Sequence, residues 1–256
     1  MNDMMTEALR ISSAACAIPK RYFRSSLSID QKSDESPVTI ADRETEEFLR
    51  RELLAQFPDH GIFGEEFGRQ SGDSAYDWII DPIDGTRSFI SGNPLYGMLL
   101  ALLRDSEPVF GIVRMPQLDE VYTGTGGTAF RNGTEPLAVS QTRDLSHAAI
   151  YINEGEKIHA THPALFQRLC QTGQLRRFAY DCYPHMLLAA GHIDAVIDFD
   201  LQPYDYLPLV CVVKGAGGIM TDWQGEELSL RSDGRVISAA TPELHKTLLK
   251  LVQTTG

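Results

Sequence analysis

Asp81 and Asp84 stand three residues apart in Asp81-Pro82-Ile83-Asp84-Gly85-Thr86-Arg87-Ser88-Phe89, directly after the apolar run Tyr76-Asp77-Trp78-Ile79-Ile80. Carboxylates at the exit of a buried strand are costly unless something pairs them. With Glu65 and Asp205 they offer hard oxygen donors, and no Cys or His accompanies them at zinc-ligand spacing. Mg²⁺ suits that donor set best, Mn²⁺ follows closely, and Ca²⁺ competes for a looser cage. Pro82 fixes the turn, and Ile83 can aim its carbonyl at the same ion. Gly85 admits a close backbone approach, and Thr86 opens a helix whose free amides suit phosphate oxygens.

These are the components of a phosphoryl-transfer site. Two bound ions would let water attack in line, so no covalent nucleophile is required. The Thr86 hydroxyl and Glu65 can orient that water and take its proton, with Asp42 supporting Thr86 from behind. Taken alone, Asp42 is also explained as a helix cap or first-turn acid, and Glu65-Glu66 as a solvated loop. Thr123-Gly124-Thr125-Gly126-Gly127 lacks the Lys-Ser/Thr ending of a P-loop and reads as a turn. His159-Ala160-Thr161-His162 has no matching third zinc ligand and reads as a surface loop.

The elements that must place these groups follow from periodicity. Ala8, Ile11, Ala15 and Ile18 predict a first helix over about Asp3 to Tyr22, and the polar stretch Ser28 to Pro37 a loop. A second helix begins near Asp42, buries Phe48, Leu49, Leu53, Leu54 and Phe57, and stops at Pro58. Gly61-Ile62-Phe63 is a short strand. A meander of antiparallel strands follows at Gly97 to Arg104, Pro108 to Met115, Glu120 to Thr123 and Thr128 to Arg131, with a hairpin turn at Asn132-Gly133. The second half reads as strand Ala148 to Ile152, helix Pro163 to Thr172 and strand Arg177 to Tyr180, then a helix around Met186 that Gly191 closes. Strand Ile193 to Asp198, helix Leu207 to Ala216, strands Ile219 to Thr221 and Arg235 to Ala239, and helix Pro242 to Val252 complete it. Asp205 thus falls at a helix N-terminus. We divide the chain into halves 1–145 and 146–256 that form one compact unit.

The 256 residues are 43% hydrophobic, enough for a sizeable core. A formal charge of -12 argues against nucleic acid as the main partner, because phosphate backbones need clustered Lys and Arg. Small anionic substrates stay admissible, since bound cations reverse the local field. The four cysteines form no CxxC pair, which fits reduced thiols in a cytoplasm, and no apolar run is long enough to span a bilayer.

Gly64-Glu65-Glu66, Asp81 to Thr86, Tyr204-Asp205 with Gly215-Ala216-Gly217-Gly218 behind it, and the upstream Ser36-Pro37-Val38-Thr39 to Asp42 resemble the signatures of the inositol monophosphatase superfamily. The resemblance implies an α/β fold of alternating helix and sheet layers with a mostly antiparallel first sheet, Mg²⁺-dependent hydrolysis of phosphomonoesters, lithium inhibition and a homodimer. It implies metal ligation by Glu65, Asp81, the Ile83 carbonyl and Asp84, a second ion at Asp205, and a nucleophilic water held by Thr86 and Glu65. Asp42 matches an acid beside an optional third ion. Asp198 stands where many members carry a Glu facing the substrate alcohol, and Tyr204 where many carry Trp. Arg87-Ser88-Phe89-Ile90-Ser91-Gly92, Asp181-Cys182-Tyr183 and Gln202 to Leu207 look most like the histidinol-phosphatase branch. That places Gly85, Thr86, Arg87, Asp181 and Asp198 at the substrate, the two acids pairing with its ammonium and imidazole. The alternatives are an inositol-1-monophosphatase or a broad sugar-phosphate or fructose-1,6-bisphosphatase, and, in a different class, a catalytically weak metal-binding regulatory homologue.

Overall fold

The computed structural model describes residues 2–25, 29–31 and 37–254. Two helices, α1 (Asn2–Ala15) and α2 (Ala17–Tyr22), replace the single one expected over Asp3 to Tyr22. Pro19 causes the break, since it has no N–H to give the Ala15 carbonyl. Much of the loop expected over Ser28 to Pro37 lies outside the described residues. At its ends β1 (Ile29–Gln31) pairs antiparallel with β2 (Pro37–Thr39) where we expected no strand. Helix α3 (Ile40–Gln56) then starts on a capping box: the Thr39 amide donates to Asp42 Oδ2 at 2.8 Å, and Thr39 Oγ1 accepts from the Ala41 amide at 3.1 Å.

The first sheet gathers β3 (Gly61–Gly64), β4 (Gly68–Gln70), β5 (Tyr76–Asp84), β6 (Gly97–Arg104), β7 (Glu107–Met115), β8 (Glu120–Thr125), β9 (Ala129–Arg131) and β10 (Glu135–Pro136). Its order is β10-β9-β8-β7-β6-β5-β3-β4, with α4 (Thr86–Ile90) leaving the end of β5. β3 runs parallel to β5 and the other pairings are antiparallel. Asn132 and Gly133 have φ of 50° and 73°, the left-handed pair that the β9–β10 hairpin needs.

The second half runs β11 (Ala149–Asn153), α5 (Gly155–Thr161), α6 (Pro163–Leu169), β12 (Leu175–Ala179), α7 (Tyr183–Ala189) and β13 (Ala195–Asp198). It continues with α8 (Pro203–Gly215), β14 (Ile219–Asp222), β15 (Val236–Ala239) and α9 (Pro242–Gln253), and its sheet has the order β12-β11-β13-β15-β14. Helix α5 was not anticipated. His159 therefore lies in a helix rather than a surface loop, and His162 packs edge-on against Phe199 and Trp223 at 5.4 and 5.7 Å.

Three apolar seams stack these elements as α/β/α/β/α. Ile11, Leu49 and Leu53 pack on Trp78, Ile80 and Leu100 at one face of the first sheet. The opposite face meets Leu209, Val212 and Val213 of α8, which also touches the second sheet through Val196 and Val236. Ile150, Ile197 and Ile237 cover the far face with Ile158, Leu165 and Leu244. Sandwiched between two sheets, α8 is apolar on every side, as a helix without a solvent face must be. It lies close because β7 and β8 offer glycines: a Cβ on Gly111 would sit 2.2 Å from the Pro208 carbonyl oxygen, and one on Gly124 2.3 Å from that of Cys211. Among the described residues no helix is long and apolar enough to cross a membrane, and all four cysteines are free.

Candidate active site

Residues i and i+3 of a regular strand face opposite sides of the sheet. Asp81 and Asp84 escape that rule because β5 carries an extra residue: Asp81 pairs with Leu99 and Asp84 with Gly97, three positions against two. The bulge turns both carboxylates to one side, and the Ile83 amide holds it by donating to Asp81 Oδ1 at 3.0 Å. The pair is thus inside the strand's bulged end rather than beyond it.

Two further acids are delivered from elsewhere. Glu65 follows β3, which runs beside β5, and its amide donates to the Ile80 carbonyl at 3.1 Å while its side chain lies against Asp81. Asp205 is the third residue of α8, where its Oδ2 accepts from the Gln202 amide at 2.7 Å in a capping box. Oxygens of Asp81, Asp84 and Asp205 come within 4.8 Å of one another.

Such a group cannot ionise freely. Burial pushes the Asp84 carboxyl up to about 8, and the Asp205 charge adds to it. Burial likewise pushes Asp205 up to about 8 against the Gln202 amide, which favours its charge, and burial followed by the Glu65 charge raises Asp81 well above the usual carboxylate range. Crowded carboxylates hold protons until a cation replaces them. An all-oxygen donor set converging on one point therefore fits a hard divalent cation.

Thr86 stands at the edge of this cage. Its hydroxyl faces Asp42 Oδ1 at 3.1 Å and the Ile83 carbonyl at 3.2 Å. One hydroxyl has one proton, so both acceptors draw it inward and leave the lone pairs free to receive a hydrogen bond from the cleft. Asp42 is fully buried and is held from the other side by Thr39; burial raises its carboxyl. It is both helix cap and support for Thr86.

The cleft in front has a volume of about 180 Å³. Gly85, Thr86, the exposed Arg87, Asp181 and Asp198 all line it beside the cage. Gly85 has φ of 88°, and a Cβ there would lie 2.5 Å from Asp181 Cγ, so the glycine is what admits Asp181. Asp181 accepts from Ser88 Oγ at 2.6 Å, and burial, then Asp84, raises its carboxyl well above the usual range. The next amide, of Cys182, donates to Asp84 Oδ2 at 2.6 Å and ties wall to cage. Asp198 faces the cleft with oxygens already engaged: Asn153 Nδ2 at 2.7 Å, His185 Nε2 at 3.0 Å and the Phe199 amide at 2.8 Å.

Sequence reasoning missed four residues here. Glu154, Lys157 and Asp200 also line the cleft. Their one signal was a Lys three residues after a Glu, lost because α5 was read as loop. Glu46, on the polar stripe of α3, is fully buried and holds the Glu65 turn: Oε2 accepts from the Glu66 amide at 2.7 Å, Oε1 from Arg50 Nε at 2.7 Å, and Arg50 reaches on to the Gly68 carbonyl. Glu46→Ala should cost about 3 kcal/mol in chemical unfolding, because Arg50 and the amides of Glu66 and Phe67 lose a buried partner, and should lower activity through Glu65. Glu46→Gln, which keeps an acceptor for the Glu66 amide, should lose less; equal losses would free the turn from Glu46.

The layered fold and the carboxylate cage define an α/β protein built to hold a divalent cation against a small anionic ligand. The chain belongs to the inositol monophosphatase family, whose model matches residues 1–256, and is a phosphatase of that family. It is 38% identical to a histidinol-phosphatase of Chlorobaculum parvum over 90% of this chain and 89% of that protein. It is also 30% identical to a protein of Pasteurella multocida named Nus factor SuhB, over 99% of this chain and 97% of its relative. An inositol monophosphatase from Zymomonas mobilis has the same fold, with a TM-score of 0.86 and 36% identity over 99% of this chain and 98% of its own.

Proposed function

We propose that the protein hydrolyses histidinol phosphate to histidinol and phosphate, as a step of histidine biosynthesis. The observation that carries this reading is the number of acids lining the cleft besides those of the cage. A cleft lined by Asp181, Asp198, Glu154 and Asp200 as well as by the cage suits an alcohol bearing cationic nitrogens and offers a neutral polyol no such pairing. The 38% identity to a histidinol-phosphatase supports it.

When bound, divalent cations, Mg²⁺ in this reading with Mn²⁺ as a substitute, neutralise phosphoryl charge and acidify the attacking water. Glu65, Asp81, the Ile83 carbonyl, Asp84 and Asp205 are the groups we assign to hold them. Thr86, its own proton drawn toward Asp42 and Ile83, accepts a hydrogen bond from the attacking water and so orients it, and Glu65 takes the proton. Gly85, Thr86 and Arg87 meet the phosphoryl oxygens at the start of α4. Asp181 and Asp198 meet the alcohol, Asp198 chiefly through its charge because its oxygens are tied down. We place the enzyme in a cytoplasm as a homodimer of two-half protomers, and with no nucleic acid partner, the last point alone being supported by the charge of -12.

The deciding experiment is kcat/KM on histidinol phosphate, inositol-1-phosphate, fructose-1,6-bisphosphate and an adenosine bisphosphate at one Mg²⁺ concentration. One charge-assisted hydrogen bond is worth about 2 kcal/mol, so histidinol phosphate should lead by at least ~10-fold. Equal or better turnover of inositol-1-phosphate or fructose-1,6-bisphosphate would transfer the assignment to those substrates. No phosphate release from any ester would leave a metal-binding regulatory homologue.

A further inference from the structure

The outer wall of the cleft already holds a cation of the protein's own. Lys157 Nζ lies 2.8 Å from the Glu154 carboxylate and 3.0 Å from the Asp200 carboxylate, and all three side chains line the cleft that contains Asp81 and Asp84. As a device for stability the outer pair is weak, because Asp200 is 55% exposed and Lys157 34%, and exposed ion pairs contribute little; Glu154 beneath them is 15% exposed. It also sits on uncommon backbone: Glu154 has φ of 48°, a left-handed conformation that side chains of its type avoid, and Asp200, of a type that tolerates it better, has φ of 66°. A strained residue such as Glu154 is found where a ligand is handled.

The molecule itself shows what this pair of carboxylates binds: a primary ammonium on a flexible stem. We propose that Lys157 stands in for the substrate's ammonium, neutralising Glu154 and Asp200 in the free enzyme until an amino-alcohol phosphate displaces it and presents its own ammonium to them. The inference rests on the reading of the substrate as the phosphate ester of an amine-bearing alcohol, and it names the residues that read the amine. A neutral alcohol has nothing to exchange for Lys157 and leaves it seated. Lys157 is therefore a competitor of the cognate ligand, and its removal strengthens binding of the cognate ester. A lysine that held the phosphoryl group would act with the opposite sign, since its loss would weaken every ester alike.

The test compares histidinol phosphate with its deamino analogue, identical except for the ammonium, in the Mg²⁺-loaded wild type and in Lys157→Gln, Glu154→Gln and Asp200→Asn. The ratio of kcat/KM for amine over deamino ester should rise ~5-fold in Lys157→Gln, the range of a partly exposed ion pair. It should fall toward unity in Glu154→Gln and Asp200→Asn, and Lys157→Gln should give no gain when combined with Glu154→Gln. A fall in kcat/KM for both esters in Lys157→Gln, or an unchanged ratio, overturns the proposal. Competitive inhibition by histidinol and by deaminohistidinol separates this from the substrate assignment. A ratio of inhibition constants that Lys157→Gln raises sustains the amine site even if another ester is hydrolysed faster, and one it leaves unmoved overturns the site even if histidinol phosphate is preferred.

Discussion

Asp84→Asn should abolish turnover, a fall of at least ~10³-fold in kcat if the cation supplies several kcal/mol of transition-state stabilisation, while the metal-free protein grows more resistant to heat at pH 8. The two effects have one origin. Asp84 sits buried beside Asp81 and Asp205, and burial holds its carboxyl near 8, so its ionised form is unwelcome without a cation. Asparagine removes that charge yet keeps an oxygen to accept from the Cys182 amide, the contact now at 2.6 Å. A structural residue would behave in the opposite way and lower the melting temperature. Full activity in the variant would remove Asp84 from the reacting centre.

The stability of the metal-free protein should fall as pH rises from about 4 to 8, and a divalent cation should restore it. Asp84 and Asp205, each held near 8 by burial against an ordinary value of 3.8, keep protons in the folded state that the unfolded chain has already released. The native state then binds more protons than the unfolded one, so unfolding free energy declines with pH across that window. A cation that displaces those protons binds more tightly at the upper end. At a hundredfold excess over its dissociation constant it adds about 2.7 kcal/mol, or ~5–10 °C in melting temperature for a chain of this size. Thermal unfolding with Mg²⁺ and with EDTA at pH 5 and pH 8 measures this. Equal shifts at the two values would break the link between these carboxylates and the ion.

Much of the cage was legible because its logic is local. Asp81 to Thr86 lie on one bulged turn, and Asp42 and Asp205 each occupy the third position of a helix, which capping chemistry marks in the sequence. The layers were legible too, since strands buried on both faces and a helix apolar all round leave strong patterns. What failed to show was what depends on side chains meeting across the fold. Glu46 looks solvated on a helical wheel, and only the Glu65 turn folding over α3 buries it. Asp198 reads as a free acid until β11 and α7 bring Asn153 and His185 against it. Glu154 carries no turn signal because its left-handed conformation falls on a residue type that rarely adopts it. The break after Ala15 was the exception, since Pro19 announced it and the apolar spacing masked it.

Helix α8 has a consequence for the order in which the chain acquires its chemistry. Its first turn supplies Asp205, while Asp81 and Asp84 are made more than a hundred residues earlier. During synthesis the first sheet can assemble with its bulge in place, yet the face awaiting α8 stays bare and the cage stays open. Only when β11 to β13 have emerged and α8 settles on Gly111 and Gly124 does the last carboxylate arrive. A chain released before α8 forms thus carries Glu65, Asp81 and Asp84 but lacks the carboxylate assigned to the second ion, so the complete cage belongs only to chains that have finished.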